Sequence, residues 1–210
     1  MMLLKIAGFR VFLEQLKRQV YSRETQVGLD LKLQEANVPV HQAKIKYNLS
    51  LASEKDIEEA LQKAGSESKE SVQKLLYRKW LYESGFRNWY IARTADTGDI
   101  CYMESVIDSE DYKHADGDFS NWLPELKEGE ALVEGAYTFE KYRGQKLSTA
   151  VSVDLVQIYK KKGFSRILTY IEKNNIPPQK VVEAVGFTRF EEIPVLRIFF
   201  LNLRKFNGVR

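Results

Sequence analysis

Apolar residues alternate with polar ones over residues 26–33, where Val27, Leu29, Leu31 and Leu33 are separated by Gln26, Gly28, Asp30 and Lys32. A period of two predicts a half-buried strand. A second alternation, Ile45, Tyr47, Leu49 and Leu51, predicts another after Pro39. Ahead of both, Phe9, Phe12, Leu13, Leu16 and Val20 recur at helical spacing, with Arg10, Lys17 and Arg18 off the stripe. That pattern predicts a helix over 9–22 docked on the domain; its basic face would also suit an anionic membrane surface. Ser53-Glu-Lys-Asp56 reads as a capped helix start, with Gly65 as its stop. A second helix carries Val72, Leu75, Leu76 and Trp80 and ends at Gly85. Strands follow near 86–94 and 99–107, joined by the hairpin signal Asp96-Thr-Gly-Asp99.

The centre of the pattern is an apolar strand, Ala131 to Phe139, running through the turn Tyr142-Arg143-Gly144 into a helix that reads on to about Lys162. Amides at a helix start lack intrahelical partners, and the helix dipole is positive there, so a strand, a Gly-containing turn and a helix N-terminus form an anion site. A strand over 166–171, a helix carrying Val181, Val182 and Val185 with Pro177 and Pro178 in its first turn, a stop at Gly186 and one or two final strands complete the order. Strands and helices mixed around a central crossover predict an α/β chain, in the α+β sense, with a mixed sheet. Between residues 108 and 129 a long connection holds seven acids against Lys113 and Lys127, interleaved with Tyr112, Phe119 and Trp122. It reads either as a lip over a cleft or as a surface loop with a short helix over 120–126.

Composition narrows the chemistry. The 210 residues are enough for one full core, and a net charge of +3 implies no nucleic-acid partner. A single cysteine, Cys101, excludes an intramolecular disulfide and reads as a structural thiol. Two histidines, His41 and His114, do not make a metal cluster or a nucleophile triad, though one could serve as a lone base. Without a bilayer-length apolar run or a signal-peptide order at the start, the chain reads as cytoplasmic, peripheral to membranes at most.

The central stretch, Glu134-Gly-Ala-Tyr-Thr-Phe-Glu-Lys-Tyr-Arg-Gly-Gln-Lys-Leu-Ser-Thr-Ala, resembles the fourth strand and phosphate loop of the Gcn5-related N-acetyltransferase (GNAT) superfamily. Asn175-Ile-Pro-Pro followed by Gly186-Phe187 is similar to that family's Asn…Gly-Phe segment, and the element order from about 43 to 203 is the same. The resemblance implies a mostly antiparallel central sheet flanked by helices, with residues 43–210 as the acyl-CoA-binding domain and residues 1–42 as a helix–strand extension. It implies acetyl-CoA as co-substrate, no metal, and direct transfer of the acetyl group to an amine. Tyr137, Thr138 and Phe139 would pair with the coenzyme through their backbone. Arg143, Gly144, Gln145, Lys146, Leu147 and Ser148 would hold the pyrophosphate, with Asn175 nearby. The candidate bases are Glu134 and Glu130, two positions of one strand face, with Glu134 preferred and Glu130 read as a solvated strand-entry residue.

Two departures leave alternatives open. Lys146 stands where the loop has a glycine, either as a phosphate contact or as a solvent-facing residue, and Arg143 has the same two readings. Val182 stands where the family often has the tyrosine that protonates the departing thiolate. The runner-up is therefore a catalytically weak or inactive acyl-CoA-binding module. The acidic connection suggests a cationic acceptor, a small amine or a peptide amine. Acyl length and oligomeric state stay open, a homodimer included.

Overall fold

The computed structural model describes residues 21–63, 67–115, 117, 119, 122–198 and 201–204. The helix expected over 9–22 lies outside these, except for Tyr21 and Ser22, which open the first strand; Ser120 and Asn121 of the expected short helix also lie outside. The elements are β1 (Tyr21–Lys32), β2 (Tyr47–Leu51), α1 (Glu54–Gln62), α2 (Lys69–Glu83), β3 (Trp89–Thr94), β4 (Ile100–Asp108), α3 (Ser109–His114), β5 (Glu130–Thr138), α4 (Leu147–Lys161), β6 (Arg166–Glu172), α5 (Ile176–Val185), β7 (Thr188–Ile198) and β8 (Leu201–Arg204). One eight-stranded sheet runs in the order β2-β3-β4-β5-β6-β1-β7-β8. Every neighbouring pair is antiparallel except β5–β6.

The strand expected before residue 42 is thus interior to this sheet, paired with β6 on one side and β7 on the other. Its alternation has a direct cause. Val27, Leu29 and Leu31 face a core built with Leu147, Val151 and Leu155 of α4 and Val182 and Val185 of α5. The other face of the sheet buries Ile57 of α1, Leu75 and Leu81 of α2, and Phe119, Leu123 and Leu126 of the 115–129 segment. Three layers result, with helices on both faces. The expected cap of α1 is present as a reciprocal capping box between Ser53 and Asp56. Gly186 ends α5 at φ 111°.

The connection after β4 carries a helix that neither reading placed. Its helix, α3, comes at the start, where Asp108 and Asp111 form a capping box. Tyr112 donates its hydroxyl to Pro124 O at 2.6 Å, and Phe119, Leu123 and Leu126 are buried. The aromatics anchor this segment against the second core, and two of its acids are consumed in capping. Among the described residues no helix is long and apolar enough to cross a membrane.

Candidate active site

β5 is held closed at one end and opens at the other. Its first three residues pair in parallel with β6, as Glu130↔Arg166, Ala131↔Ile167 and Leu132↔Leu168. Pairing then stops, although β5 continues to Thr138 and β6 to Glu172, so the strands part. Register places Arg166 opposite Glu130. Its Nη1 donates to Glu130 Oε1 at 3.0 Å and its Nε to Asp30 Oδ2 at 2.7 Å. Glu130 Oε2 accepts the Lys127 amide at 3.0 Å. Glu130 is therefore buried in an ion triad spanning β5, β6 and β1, not solvated at a strand entry. Both of its oxygens are taken.

At the open end β5 carries a bulge. Tyr137 pairs with Met103 and Glu134 with Ser105, so Gly135 and Ala136 together oppose Glu104. Gly135 adopts φ 68°, and a Cβ there would lie 2.9 Å from Trp89 Cη2. Position and conformation both call for glycine. Arg78 of α2 fixes the bulge from below: its Nε donates to Gly135 O at 2.6 Å, its Nη2 to Ala136 O at 2.5 Å, and its Nη1 to Lys74 O. Burial pulls this guanidinium down to about 10, with Glu134 the leading opposing charge, so it stays cationic at neutral pH. In a trans peptide the C=O and N–H point opposite ways. Holding Gly135 O toward α2 therefore turns the Ala136 amide away from α2.

Glu134 is half-buried on the α2 side. Its Oε1 accepts the Gly135 amide at 3.0 Å and the Tyr77 hydroxyl at 3.4 Å, and its charge reaches the Tyr112 phenol from α3. The carboxylate thus sits at the bulge among aromatic hydroxyls and a buried cation.

Sequence reasoning missed a second carboxyl at the bulge. Glu104 and Tyr102 of β4 are buried, at 2% and 1% exposure. They share the α4-side face with Val106. Burial pushes Glu104 up to about 8; Tyr102 and Arg78 hold it down, and repulsion from Glu134 adds to the rise. Burial also drives Tyr102 well above its ordinary value, the Glu104 charge adding to this and Ser148 of α4 opposing it. Glu104 Oε2 and Tyr102 Oη nonetheless make no hydrogen bond among the described residues. A Glu inside a strand of buried residues was the available signal. Arg78, on a helix with an ordinary amphipathic pattern, gave none.

The turn into α4 resolves the lysine-for-glycine departure. Lys146 is at φ 57°, the left-handed region a glycine would favour, and is the one non-glycine residue with positive φ among those described. It occupies the N-cap of α4 without a side-chain cap, so among the described residues no capping side chain takes the first amides of the helix. Gly144, at φ 74°, has nothing within 4 Å of a Cβ position, and Gln145 is pinned through its carbonyl by the Lys44 amide at 2.8 Å. Lys146 is exposed, Leu147 buried and Ser148 intermediate. Arg143 folds back from this N-terminus, its Nη2 on Ser71 Oγ at 2.9 Å and its Nε on Thr138 O at 3.3 Å. The side chains of Tyr137 and Phe139 are buried in the second core, which leaves only backbone for ligand pairing there. Asn175 is exposed at the N-cap of α5, beyond the end of β6. Val182 is buried in the first core, where it offers no hydroxyl. Cys101 is buried, its thiol pushed up to about 11 by burial.

No family model matches the sequence, and no curated protein does. Solved structures match the fold. A glucosamine N-acetyltransferase region of a fungal multi-domain β-N-acetylglucosaminidase superposes with a TM-score of 0.61 at 12% identity, over 89% of this chain and 22% of that one. A GCN5-related N-acetyltransferase from Sphaerobacter thermophilus gives 0.56 at 13%, over 97% and 59%. A GNAT-family acetyltransferase from Colwellia psychrerythraea gives 0.55 at 13%, over 90% and 61%. The chain has the GNAT fold, and it spans less than two thirds of each of these proteins.

Proposed function

We propose that this protein is an acyl-CoA-dependent N-acyltransferase, moving an acetyl group from acetyl-CoA directly to an amine of a cationic acceptor. The observation that carries this reading is the parting of β5 and β6 after three pairs, with a clamped bulge at the parting and an uncapped helix N-terminus directly downstream. The residues present fit coenzyme A. Amides at the start of α4 face a diphosphate without competition from a side-chain cap, the open ground at Gly144 admits it, and Lys146 adds a cation. The backbone of Tyr137 to Phe139 lies along the parted edge, and Asn175 stands beyond the end of β6. Residues 43–210 carry these features, and β1, from residues 1–42, completes the sheet.

Bound there, acetyl-CoA supplies an activated acyl group. Glu134, the carboxylate on the α2 side of the bulge, takes the proton from the acceptor ammonium; Glu130 is committed to the ion triad. The Ala136 amide, turned away from α2, donates to the developing oxyanion. The cationic acceptor rests on Glu134 together with the exposed acids Glu125 and Glu128, since Asp108 and Asp111 are engaged in capping.

The test has two parts. Coenzyme A should raise the Tm, and acetyl-CoA with a panel of polyamines, aminosugars and lysine peptides should release thiol. No stabilisation by coenzyme A would sink the reading. Val182, buried without a hydroxyl, favours the second reading, a binding module of the same fold. That reading expects stabilisation without turnover, and a turnover lost in Glu134→Gln would dispose of it.

A further inference from the structure

Resting on that reading, we infer that the carboxyl of Glu104 is the acid that protonates the departing thiolate, with the Tyr102 hydroxyl beside it as its path to the proton supply. Three observations converge. First, Glu104 is on the same side of the sheet as Val182, the position without a hydroxyl, because Tyr102 and Val106, two residues away on either side, join the core that includes Val182. Second, it lies opposite Gly135 and Ala136, the bulge at which the proposed function puts the oxyanion. Third, its Oε2 and the Tyr102 hydroxyl are buried and have no hydrogen-bond partner among the described residues. A buried polar atom without a partner costs about 1–3 kcal/mol, and a native fold keeps such atoms where they have work to do.

Six other tyrosines are engaged as donors. Tyr47 donates to Asp154, Tyr137 to Glu67, Tyr142 to Asp99, Tyr159 to Val106 O, Tyr170 to Glu191 and Tyr77 to Glu134. None of these hydroxyls is available to a thiolate without giving up its acceptor. Charged and titratable groups around Glu104 come from each packed element: Arg78 from α2, Glu134 from β5 and Tyr102 on its own strand. Tyr90, its cross-strand partner on β3, accepts from Lys162. Arg78 is already committed to three carbonyls. One buried cation facing two carboxyls leaves one of them neutral, and burial selects Glu104. A protonated carboxyl at about 8 is matched to a leaving thiol of about 8.5.

The step balances. The acceptor ammonium first gives its proton to Glu134. The amine nitrogen then bonds to the thioester carbon, the C–S bond breaks, and the nitrogen sheds its second proton to solvent to leave the neutral amide. The sulfur takes the Glu104 proton, leaving a carboxylate that is reprotonated from solvent past Tyr102. Two protons thus leave the nitrogen, one of them by way of Glu134, and one is taken up at Glu104, so one proton is released per turnover.

The experiment uses the full chain with coenzyme A as probe, so that it does not depend on the acceptor. Thiolate absorbance of the bound coenzyme is titrated in the wild type, Glu104→Gln and Tyr102→Phe, each first shown by its melting curve to be folded. With Glu104 beside the sulfur, ionised Glu104 disfavours the thiolate. Its replacement by Gln should therefore lower the apparent pKa of the bound thiol by about one pH unit, as expected for removing a neighbouring like charge. Tyr102→Phe should leave that value in place while slowing acetyl transfer. Where turnover is measured, Glu104→Gln should also lower kcat at least tenfold with KM for acetyl-CoA within twofold, and erase the alkaline limb of kcat. An unshifted thiol in Glu104→Gln overturns the inference even if coenzyme A binds. Failure of the wild type to bind coenzyme A overturns the proposed function itself.

Discussion

The two ends of β5 differ in what each does with its charges and its backbone. At Glu130 the strand pairs with β6, its side chain is neutralised by Arg166, and nothing is left over. Five residues on, at Gly135, the strand bulges and leaves β6, and its carbonyls are satisfied by a guanidinium from another layer. The first end is closed by pairing and the second is held open by Arg78. In the proposed function this strand binds coenzyme A along its edge, and the buried cation holds its carbonyls at the bulge.

Removing the cation should have the largest effect. Arg78→Met leaves Gly135 O and Ala136 O without their donor and Glu134 without its nearest positive charge. Loss of one member of such a buried charged set costs about 3–5 kcal/mol. Urea denaturation should show this, and amide exchange should rise at the bulge while the Glu130 end stays protected. Uniform loss of protection along β5 would mean that the two ends are not independent.

Next is the bulge glycine. Gly135→Ala places a Cβ 2.9 Å from Trp89 Cη2 at φ 68°. A left-handed non-glycine residue costs about 1–2 kcal/mol and overpacking about 1–3 kcal/mol, so a loss of about 2–5 kcal/mol is expected. Coenzyme A should then fail to restore the Tm to the wild-type value. A neutral substitution would mean that the bulge yields freely, against the close contact with Trp89.

This contrast explains what could be read from sequence. The closed elements were legible because repetition encodes them. Val27, Leu29 and Leu31 face one core, and Ser53 caps a helix together with Asp56, three residues along. The turn into α4 was legible from Gly144 and the helix start. What could not be read depends on register between distant segments. Nothing local says that Arg78 meets residues 135 and 136, that Arg166 lands opposite Glu130, or that Glu104 falls behind the bulge. The bulge also resets the alternation, so that Tyr137 rather than Ala136 shares the core face with Leu132. The position of β1 between β6 and β7 is likewise a matter of pairing, which alternation alone does not specify.

The next prediction uses pH. Glu104 is raised from an ordinary 4.5 to about 8 by burial. A raised carboxyl favours the folded state fully below its unfolded value, and that contribution is lost as pH climbs through the folded value. Wild-type stability should therefore fall between about pH 4.5 and pH 8, and Glu104→Gln should flatten that slope. Even ~2 kcal/mol would separate the two melting curves by roughly 4–8 °C at the alkaline end in a chain of this size. Parallel pH curves would show that Glu104 is ionised throughout. At the closed end, Glu130→Gln removes one of the two carboxylates on Arg166. It should cost about 1–3 kcal/mol and leave kcat unchanged in the folded protein. The same change at Glu134, the leading counter-charge of Arg78, should also cost stability but abolish turnover in the folded protein. A reversal of the two outcomes would exchange the roles assigned to the ends of the strand.

The smallest effect tests the turn just past the open end. Lys146→Gly relieves a left-handed lysine, a gain of about 1 kcal/mol. The looser unfolded chain takes back about 0.4–1 kcal/mol of it, so the Tm should stay level or rise slightly. The mutation also deletes an exposed cation at the N-terminus of α4. An exposed ion contact is worth about 0.2–1 kcal/mol, so coenzyme A should bind up to about fivefold more weakly. That loss should shrink as salt screens the contact. Dephospho-coenzyme A, which keeps the pyrophosphate, should lose the same factor if Lys146 addresses the pyrophosphate. Unchanged affinity at low salt would leave the amides of α4 as the whole anion site, and the lysine would then be only a side chain that tolerates the turn.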